Sequence, residues 1–266
     1  MKEGYPKAMA SRNVYKPGFM ISKNRLAKAE KIEQVLKEAH EVMQKLPYRQ
    51  TLLDIGTGNG AIAGYLSESY DVTSLDITDQ RTVHEGYRFI QIESERLPFS
   101  NNSFDLVVSN HVIEHVPDAG LHLSEIFRVL KPGGLVYLAT PNRLWPYEVH
   151  NKTYFLHYLP PGTFNSILKR LGKYHEDVFL LSWKELQKMA SGLFRIETVS
   201  DKICRNPKKY KMKCRPLIAK LLSMIPLQVY KLLTFMHPTL IVVLQKNELK
   251  NHTSLKIASR AKYIND

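Results

Sequence analysis

The stretch TLLDIGTGNGAIAGYL, Thr51 to Leu66, decides the fold. A short apolar run passes straight into three glycines, and a helix-forming segment begins where they end. Glycines at 56, 58 and 60 permit positive φ and let a ligand come close to the backbone, while the helix beyond offers unsatisfied N–H groups. On its own the loop is ambiguous. Gly56-x-Gly58-x-x-Ala61 also satisfies a loose dinucleotide fingerprint, and Asp76, sixteen residues after Gly60, suits a ribose diol in either case.

Outward from that loop the pattern repeats. DVTSLDI, YRFIQIE, FDLVVSN and GLVYLAT read as further strands, and FDLVVSN is a continuous apolar run of the kind buried on both faces of a parallel sheet. Between the last two, LHLSEIFRVL reads as a helix with Asp118 as its N-cap, ending at Lys131-Pro132-Gly133-Gly134. Strands alternating with helices imply an α/β, Rossmann-like doubly wound sheet, mostly parallel, with helices on both faces. TLIVVLQK is expected as an antiparallel last strand. Ligands of such sheets sit outside the carboxyl ends of the strands.

The chain divides as follows. Residues 1–23 form an irregular arm containing Pro6, Pro17 and Gly18, and residues 24–141 form the core. The core opens with a helix from Asn24 to Leu46 whose apolar stripe runs through 32, 35, 36, 39, 42, 43 and 46, stopped by Pro47. Residues 142–181, rich in aromatics and prolines, read as a substrate or lid region. Residues 182–247 complete the domain with a helix, SWKELQKMAS, a strand, FRIETVSDKI, and an insertion at about 202–238; residues 248–266 are a polar tail. The insertion carries eight basic residues and no acidic one from Lys202 to Lys220, then turns apolar.

Thirty-eight Lys and Arg against 25 Asp and Glu leave a net charge of +13, which favours anionic partners without naming one. The first twenty residues hold no apolar run suited to a signal peptide, and nowhere are there about 18 uninterrupted apolar residues for a membrane span. The two cysteines, Cys204 and Cys214, form no C-x-x-C, which suggests free thiols and a cytoplasmic setting, with the inner face of a membrane as the alternative.

Four segments in order, DIGTGNG, the strand ending in Asp76, IESERLPFSNNSFD and LKPGG, resemble the class I S-adenosylmethionine-dependent methyltransferases of the small-molecule, type 11-like kind. The resemblance covers roughly residues 24–141. It implies S-adenosyl-L-methionine as cofactor, with the loop of Asp54, Gly56, Thr57, Gly58, Asn59 and Gly60 around its methionine part and Asp54 facing its ammonium. Asp76 would take the ribose hydroxyls and Ile77 would pack on adenine. Glu93-Ser94 would face the adenine amino group, although Glu93 replaces the family's Asp. Asn110 would lie by the transferred methyl, and Arg25 or Tyr15 would reach the cofactor carboxylate.

For the acceptor, the fourth strand ends in Ser-Asn-His-Val rather than the N/D-P-P-Y/F of exocyclic base methylation, and neither cysteine has a cytosine-C5 context. RNA is therefore the alternative to a small-molecule or lipid-linked acceptor methylated at oxygen; an oxidoreductase or a binding protein without turnover is the alternative class. TPNRLWPYEVHNKTYFLHYLP resembles acceptor loops of small-molecule enzymes, which implies substrate contacts by Trp145, Tyr147, Tyr154 and His157 and a basic role for His150. The insertion reads either as an apolar element packed on the domain with solvated lysines, or as a surface for an anionic membrane.

One motif pulls elsewhere. His111-Val-Ile-Glu114-His115 has the H-x-x-E-H spacing of inverted zinc proteases. Such a site needs a helix, yet a buried strand precedes His111 and Pro117 follows, leaving room for one turn at most, and no motif marks a third ligand. The segment is read as the rim where cofactor and acceptor meet, without a metal and with His111 as acceptor contact or base.

Overall fold

The computed structural model describes residues 22–41, 48–174, 177–212, 215–233 and 236–247. Tyr15 and nearly all of the N-terminal arm, the first helix beyond residue 41, Cys214 and the tail 248–266 lie outside the described residues. In chain order, α1 (Lys23–Glu41) is followed by β1 (Thr51–Ile55), α2 (Ala61–Leu66), β2 (Asp71–Asp76), β3 (Arg88–Gln91), β4 (Phe104–Asn110), α3 (Ala119–Val129) and β5 (Leu130–Pro141). A ribbon of β6 (Tyr147–Glu148) and β7 (Thr153–Tyr154) leads to α4 (Pro161–Arg170) and α5 (Trp183–Ala190). β8 (Phe194–Thr198), α6 (Ser200–Arg205), α7 (Pro216–Met224), α8 (Leu227–Leu232) and β9 (Thr239–Lys246) complete the order.

The sheet runs β3-β2-β1-β4-β5-β9-β8. All pairs from β3 to β5 are parallel, and β9 is antiparallel to both of its neighbours. The antiparallel last strand is therefore as expected in direction but sits one place in from the edge, which β8 occupies. That interior position is why the middle of the strand, Leu240 to Leu244, is wholly apolar and buried.

Period-two alternation sorts the strands between two cores. Leu52, Leu106, Val108, Tyr137, Ala139, Ile241 and Val243 face α1 and α2, joining Ile32, Val35 and Leu36 of the α1 stripe. Leu53, Val107, Val136, Leu138, Val242 and Leu244 face the other way, joining Leu123 and Ile126 of α3 and Leu186 of α5. Strand order reverses between β1 and β4, so loops leave in opposite directions there and open the crevice typical of doubly wound sheets.

Several expectations are corrected. LKPGG does not end the third helix in a loop: α3 stops at Val129 and β5 begins at Leu130. Leu130 pairs with Phe104 and Leu135 with Leu106, so the strand carries a bulge at Lys131–Gly134. Gly134 fits there because a Cβ would press on the Asp105 carbonyl and Leu130. FRIETVSDKI is a strand only to Thr198; Ser200 starts α6, its hydroxyl donating to the Thr239 carbonyl (3.1 Å) while accepting from the Ile241 amide (2.9 Å). The expected cap holds: Asp118 accepts from the Leu121 amide at 2.9 Å. On α5, Ser182 with Glu185 forms a reciprocal capping box.

At the far end of the sheet, Lys246 is 4% exposed, and its ammonium donates to the Phe127 carbonyl (2.7 Å), the Leu130 carbonyl (2.6 Å) and Asn102 Oδ1 (2.8 Å). A buried cation thus satisfies the carboxyl end of α3, an arrangement that the helix dipole favours.

Candidate active site

The glycine loop lies at the carboxyl edge of β1. Gly56, Gly58 and Gly60 all have positive φ (74°, 55° and 80°). Gly56 leaves no room for a side chain, since a Cβ would collide with Val112 of the turn after β4. At Gly58, by contrast, a Cβ would meet nothing within 4 Å, so this side of the loop is open. The Gly58 amide donates to Asp76 Oδ2 at 2.8 Å, tying the loop to the end of β2.

Asp54, near the end of β1, is 3% exposed, and Ser74 Oγ donates to its Oδ2 at 3.0 Å. Burial raises its pKa from an ordinary 3.8 to about 7, with the charge of Asp76 adding to the effect. The Thr57 side chain also points inward, its hydroxyl engaged with Ser74 Oγ and the Leu75 carbonyl. Thr57 can therefore offer an approaching ligand only its backbone. Asn59 holds the loop through its carbonyl, which accepts from the Thr82 and Val83 amides at 3.1 Å each. Ile77 is 66% exposed beside Asp76, and Glu93 and Ser94 are exposed just past β3.

β4 ends at Asn110, and His111 turns the chain out of the sheet with φ 61°, its amide still bonded to the Ala139 carbonyl at 2.8 Å. Ile113–His115 is then a single 3₁₀ turn, the short element that the flanking strand and proline allow. Glu114 is fully buried there, with His111 Nδ1 3.0 Å from Oε1 and Thr140 Oγ1 donating to Oε2 at 3.1 Å. Burial opposes its ionisation, but the His111 hydrogen bond and charge outweigh it and hold the carboxyl below the usual range.

The loop after β5 brings a second such pair. His150 Nδ1 lies 2.9 Å from Glu148 Oε1, and Glu148 also accepts from the His150 and Asn151 amides, both at 2.7 Å. These bonds overcome the cost of burial and keep Glu148 near a pKa of about 2. The His150 ring meets the His115 ring edge-on, 5.0 Å between centroids.

A cavity of about 610 Å³ opens beside His111, walled by Lys28 and Lys31 of α1, Pro141, Val149 and Met212. Burial holds both lysines below their ordinary pKa, and neither makes an ion pair with a described residue. Trp145, Tyr147, Tyr154 and His157 are not among its lining residues. Tyr147 stacks on Tyr154 across the β6–β7 ribbon at 4.8 Å, and Tyr154 is 69% exposed. His157 is buried, and its Nε2 lies 3.0 Å from the Arg143 carbonyl. Sequence reading passed over Lys28 and Lys31. The signal was there, since Lys28 stands one turn before Ile32 and continues an apolar stripe with a cation.

Residues 53–138 match the sequence profile of a family described as a methyltransferase domain. A ubiquinone biosynthesis O-methyltransferase of Paramagnetospirillum magneticum is 35% identical over 126 residues, covering 42% of this chain and 50% of that one. A probable S-adenosylmethionine-dependent methyltransferase of Mycolicibacterium smegmatis is 35% identical over 115 residues, 40% of this chain and 45% of that one. The chain thus spans about half the length of the curated relatives it matches. Among solved structures, an S-adenosylmethionine dependent methyltransferase from Mesorhizobium loti superposes with a TM-score of 0.53 at 17% identity, over 79% of this chain and 96% of that one, which establishes the shared fold.

The buried Asp54 carboxyl makes stability depend on pH. Its folded pKa lies above its unfolded value, so the stability it contributes is present at low pH and is lost as pH rises through about 7. In thermal denaturation without ligand, Asp54→Asn is expected to gain Tm over the parent chain progressively from about pH 4 to about pH 7 and to hold that gain above it. Parallel profiles for the two proteins would refute the buried-acid assignment.

Proposed function

We propose that the class I S-adenosylmethionine-dependent methyltransferase domain carried by this chain transfers a methyl group from that cofactor to a small-molecule or lipid-linked acceptor, at oxygen. The observation that carries the cofactor side of this reading is the convergence of an open glycine loop, the Asp76 carboxylate and the exposed Ile77 at one carboxyl edge. A ribose diol fits a carboxylate at the end of β2, an adenine ring fits an exposed aliphatic side chain next to it, and Glu93 with Ser94 stands open on the adenine side. Asp54, buried and uneasily ionised, would act through the loop backbone, its negative charge stabilised when a ligand ammonium approaches.

When bound, the cofactor supplies a methyl group already made electrophilic by its sulfonium. What remains for the protein is to position the acceptor and accept a proton. Asn110 and His111 stand where β4 meets the cavity, and His111 lines that cavity. A carboxylate on Nδ1 fixes the tautomer of an imidazole and leaves its other nitrogen as the acceptor, and this supports His111 as base, with His150 and Glu148 the second such pair on the rim. Lys28 and Lys31, which make no ion pair with a described residue, suit an acceptor bearing negative charge. The name of the Paramagnetospirillum relative makes a hydroxylated quinone precursor one natural member of the test panel.

The insertion supports a membrane-side acceptor. Leu217, Ile218, Leu221 and Met224 of α7 are 69%, 45%, 58% and 70% exposed, and only Ala219 of this helix is buried. Arg205, Lys208, Lys209 and Lys220 line an adjoining groove. Apolar side chains open to solvent beside clustered cations are the chemistry of docking on anionic lipid.

Incubation with S-adenosylmethionine and a panel of phenols, catechols and hydroxylated quinone precursors, with and without hydrophobic tails, is expected to release S-adenosylhomocysteine for at least one class. His111→Ala should lower kcat by about 10²-fold or more while leaving cofactor affinity within about twofold. Product formed only with RNA would replace this reading by its nucleic-acid alternative. Separately, the chain is expected to float with phosphatidylglycerol vesicles at low salt and to lose this when Leu221→Glu and Met224→Glu are combined; no co-flotation of the parent chain removes the membrane surface.

A further inference from the structure

We propose that Glu114, His115 and His150 form a binding site for one divalent transition-metal ion at the rim where β4 and β5 end. Each offers one ligand atom, and the three atoms lie within 4.8 Å of one another. Metal bonds of about 2.0–2.2 Å hold neighbouring donors roughly 3–4 Å apart, so small rotations of two imidazoles would close the set.

The surrounding bonds are those expected around metal ligands. Glu114 is fixed at both oxygens, by His111 and by Thr140, and is kept ionised in a fully buried position. His150 has its Nδ1 against Glu148, whose other bonds come from backbone amides. A carboxylate on one ring nitrogen fixes the tautomer and leaves the opposite nitrogen as the electron-pair donor, the second-sphere arrangement that orients ligating histidines. Besides His111 and Thr140, two further imidazoles converge near this carboxylate, their rings edge-on to each other. The H-x-x-E-H spacing thus supplies two ligands from a single 3₁₀ turn, and the third arrives from a loop thirty-five residues further on, where no local pattern marks it.

One carboxylate oxygen and two imidazole nitrogens favour zinc, manganese or ferrous iron over magnesium and calcium, which prefer oxygen-only shells. Three protein ligands leave coordination positions for an outside oxygen. The chain neighbours His111 and Val149 wall the cavity, so those positions would serve its occupant. On the methyl-transfer reading, which this role rests on, an acceptor hydroxyl held by the ion gives up its proton to His111 more readily. Its oxygen then forms the new O–C bond as the C–S bond breaks, with the electron pair leaving on sulfur.

The full chain, untagged and stripped with EDTA, is titrated calorimetrically with Zn(II), Mn(II) and Mg(II), and bound metal is counted after dialysis. S-adenosylhomocysteine affinity is measured on the same preparations. About one equivalent of Zn(II) or Mn(II) is expected, held at least about tenfold more weakly by His150→Ala and by Glu114→Gln. His150 lies on a partly exposed loop, so its variant tests the site even if the substitution of buried Glu114 impairs folding. Binding that is absent, or unchanged in His150→Ala, overturns the metal site while intact S-adenosylhomocysteine affinity leaves the transferase reading standing. Metal binding without S-adenosylhomocysteine binding does the reverse.

Discussion

Burial of the central strands on both faces is the constraint from which the rest of the structure follows. β1, β4, β5 and β9 send alternate side chains into two separate cores, so almost no polar group can project from the middle of the sheet. Backbone polarity there is spent on strand pairing. Chemistry is confined to the strand ends, and parallel pairing from β3 to β5 puts those ends on one edge. Asp54, Asp76, Asn110, Thr140 and the loops beyond them are neighbours because the sheet leaves them nowhere else to be.

The carboxylates at that edge demonstrate how hydrogen bonding and desolvation compete. Asp54 and Glu148 both expose little surface, 3% and 2%, yet Asp54 lies deeper and is raised to about 7 while Glu148 is lowered to about 2. Asp54 has a single hydroxyl donor and a second carboxylate nearby. Glu148 collects two backbone amides and an imidazole. Glu114 falls on the same side as Glu148 because His111 and Thr140 serve both of its oxygens. Carboxyls so arranged suit different tasks, Asp54 to respond to an arriving cation and the other two to hold imidazoles in one tautomer.

What the sequence disclosed followed from local chemistry. The strand–glycine–helix unit at Thr51–Leu66, the cap at Asp118 and the buried run FDLVVSN carry their structure in their own spacing. Direction of the last strand was legible too, but its place between β5 and β8 depends on long-range pairing that no local pattern records. LKPGG reads as a helix stop and proves to be a strand bulge, because Gly134 must pass against the Asp105 carbonyl. In the aromatic loop Tyr147 and Tyr154 stack on each other and His157 lies against a carbonyl, while the cavity beside His111 takes Val149 from this loop and Lys28 and Lys31 from a helix more than a hundred residues earlier. The encounter of Glu114 and His115 with His150 lies beyond sequence reading for the same reason.

The central claim is that the glycine loop and Asp76 hold S-adenosylmethionine rather than a dinucleotide. Isothermal titration of the chain with S-adenosylhomocysteine and with NADH, for parent and Asp76→Asn proteins, tests it most directly. The account predicts one-to-one binding of S-adenosylhomocysteine, weakened about tenfold or more by the loss of the Asp76 charge, and no measurable heat with NADH. Saturable NADH binding with none of S-adenosylhomocysteine would contradict it.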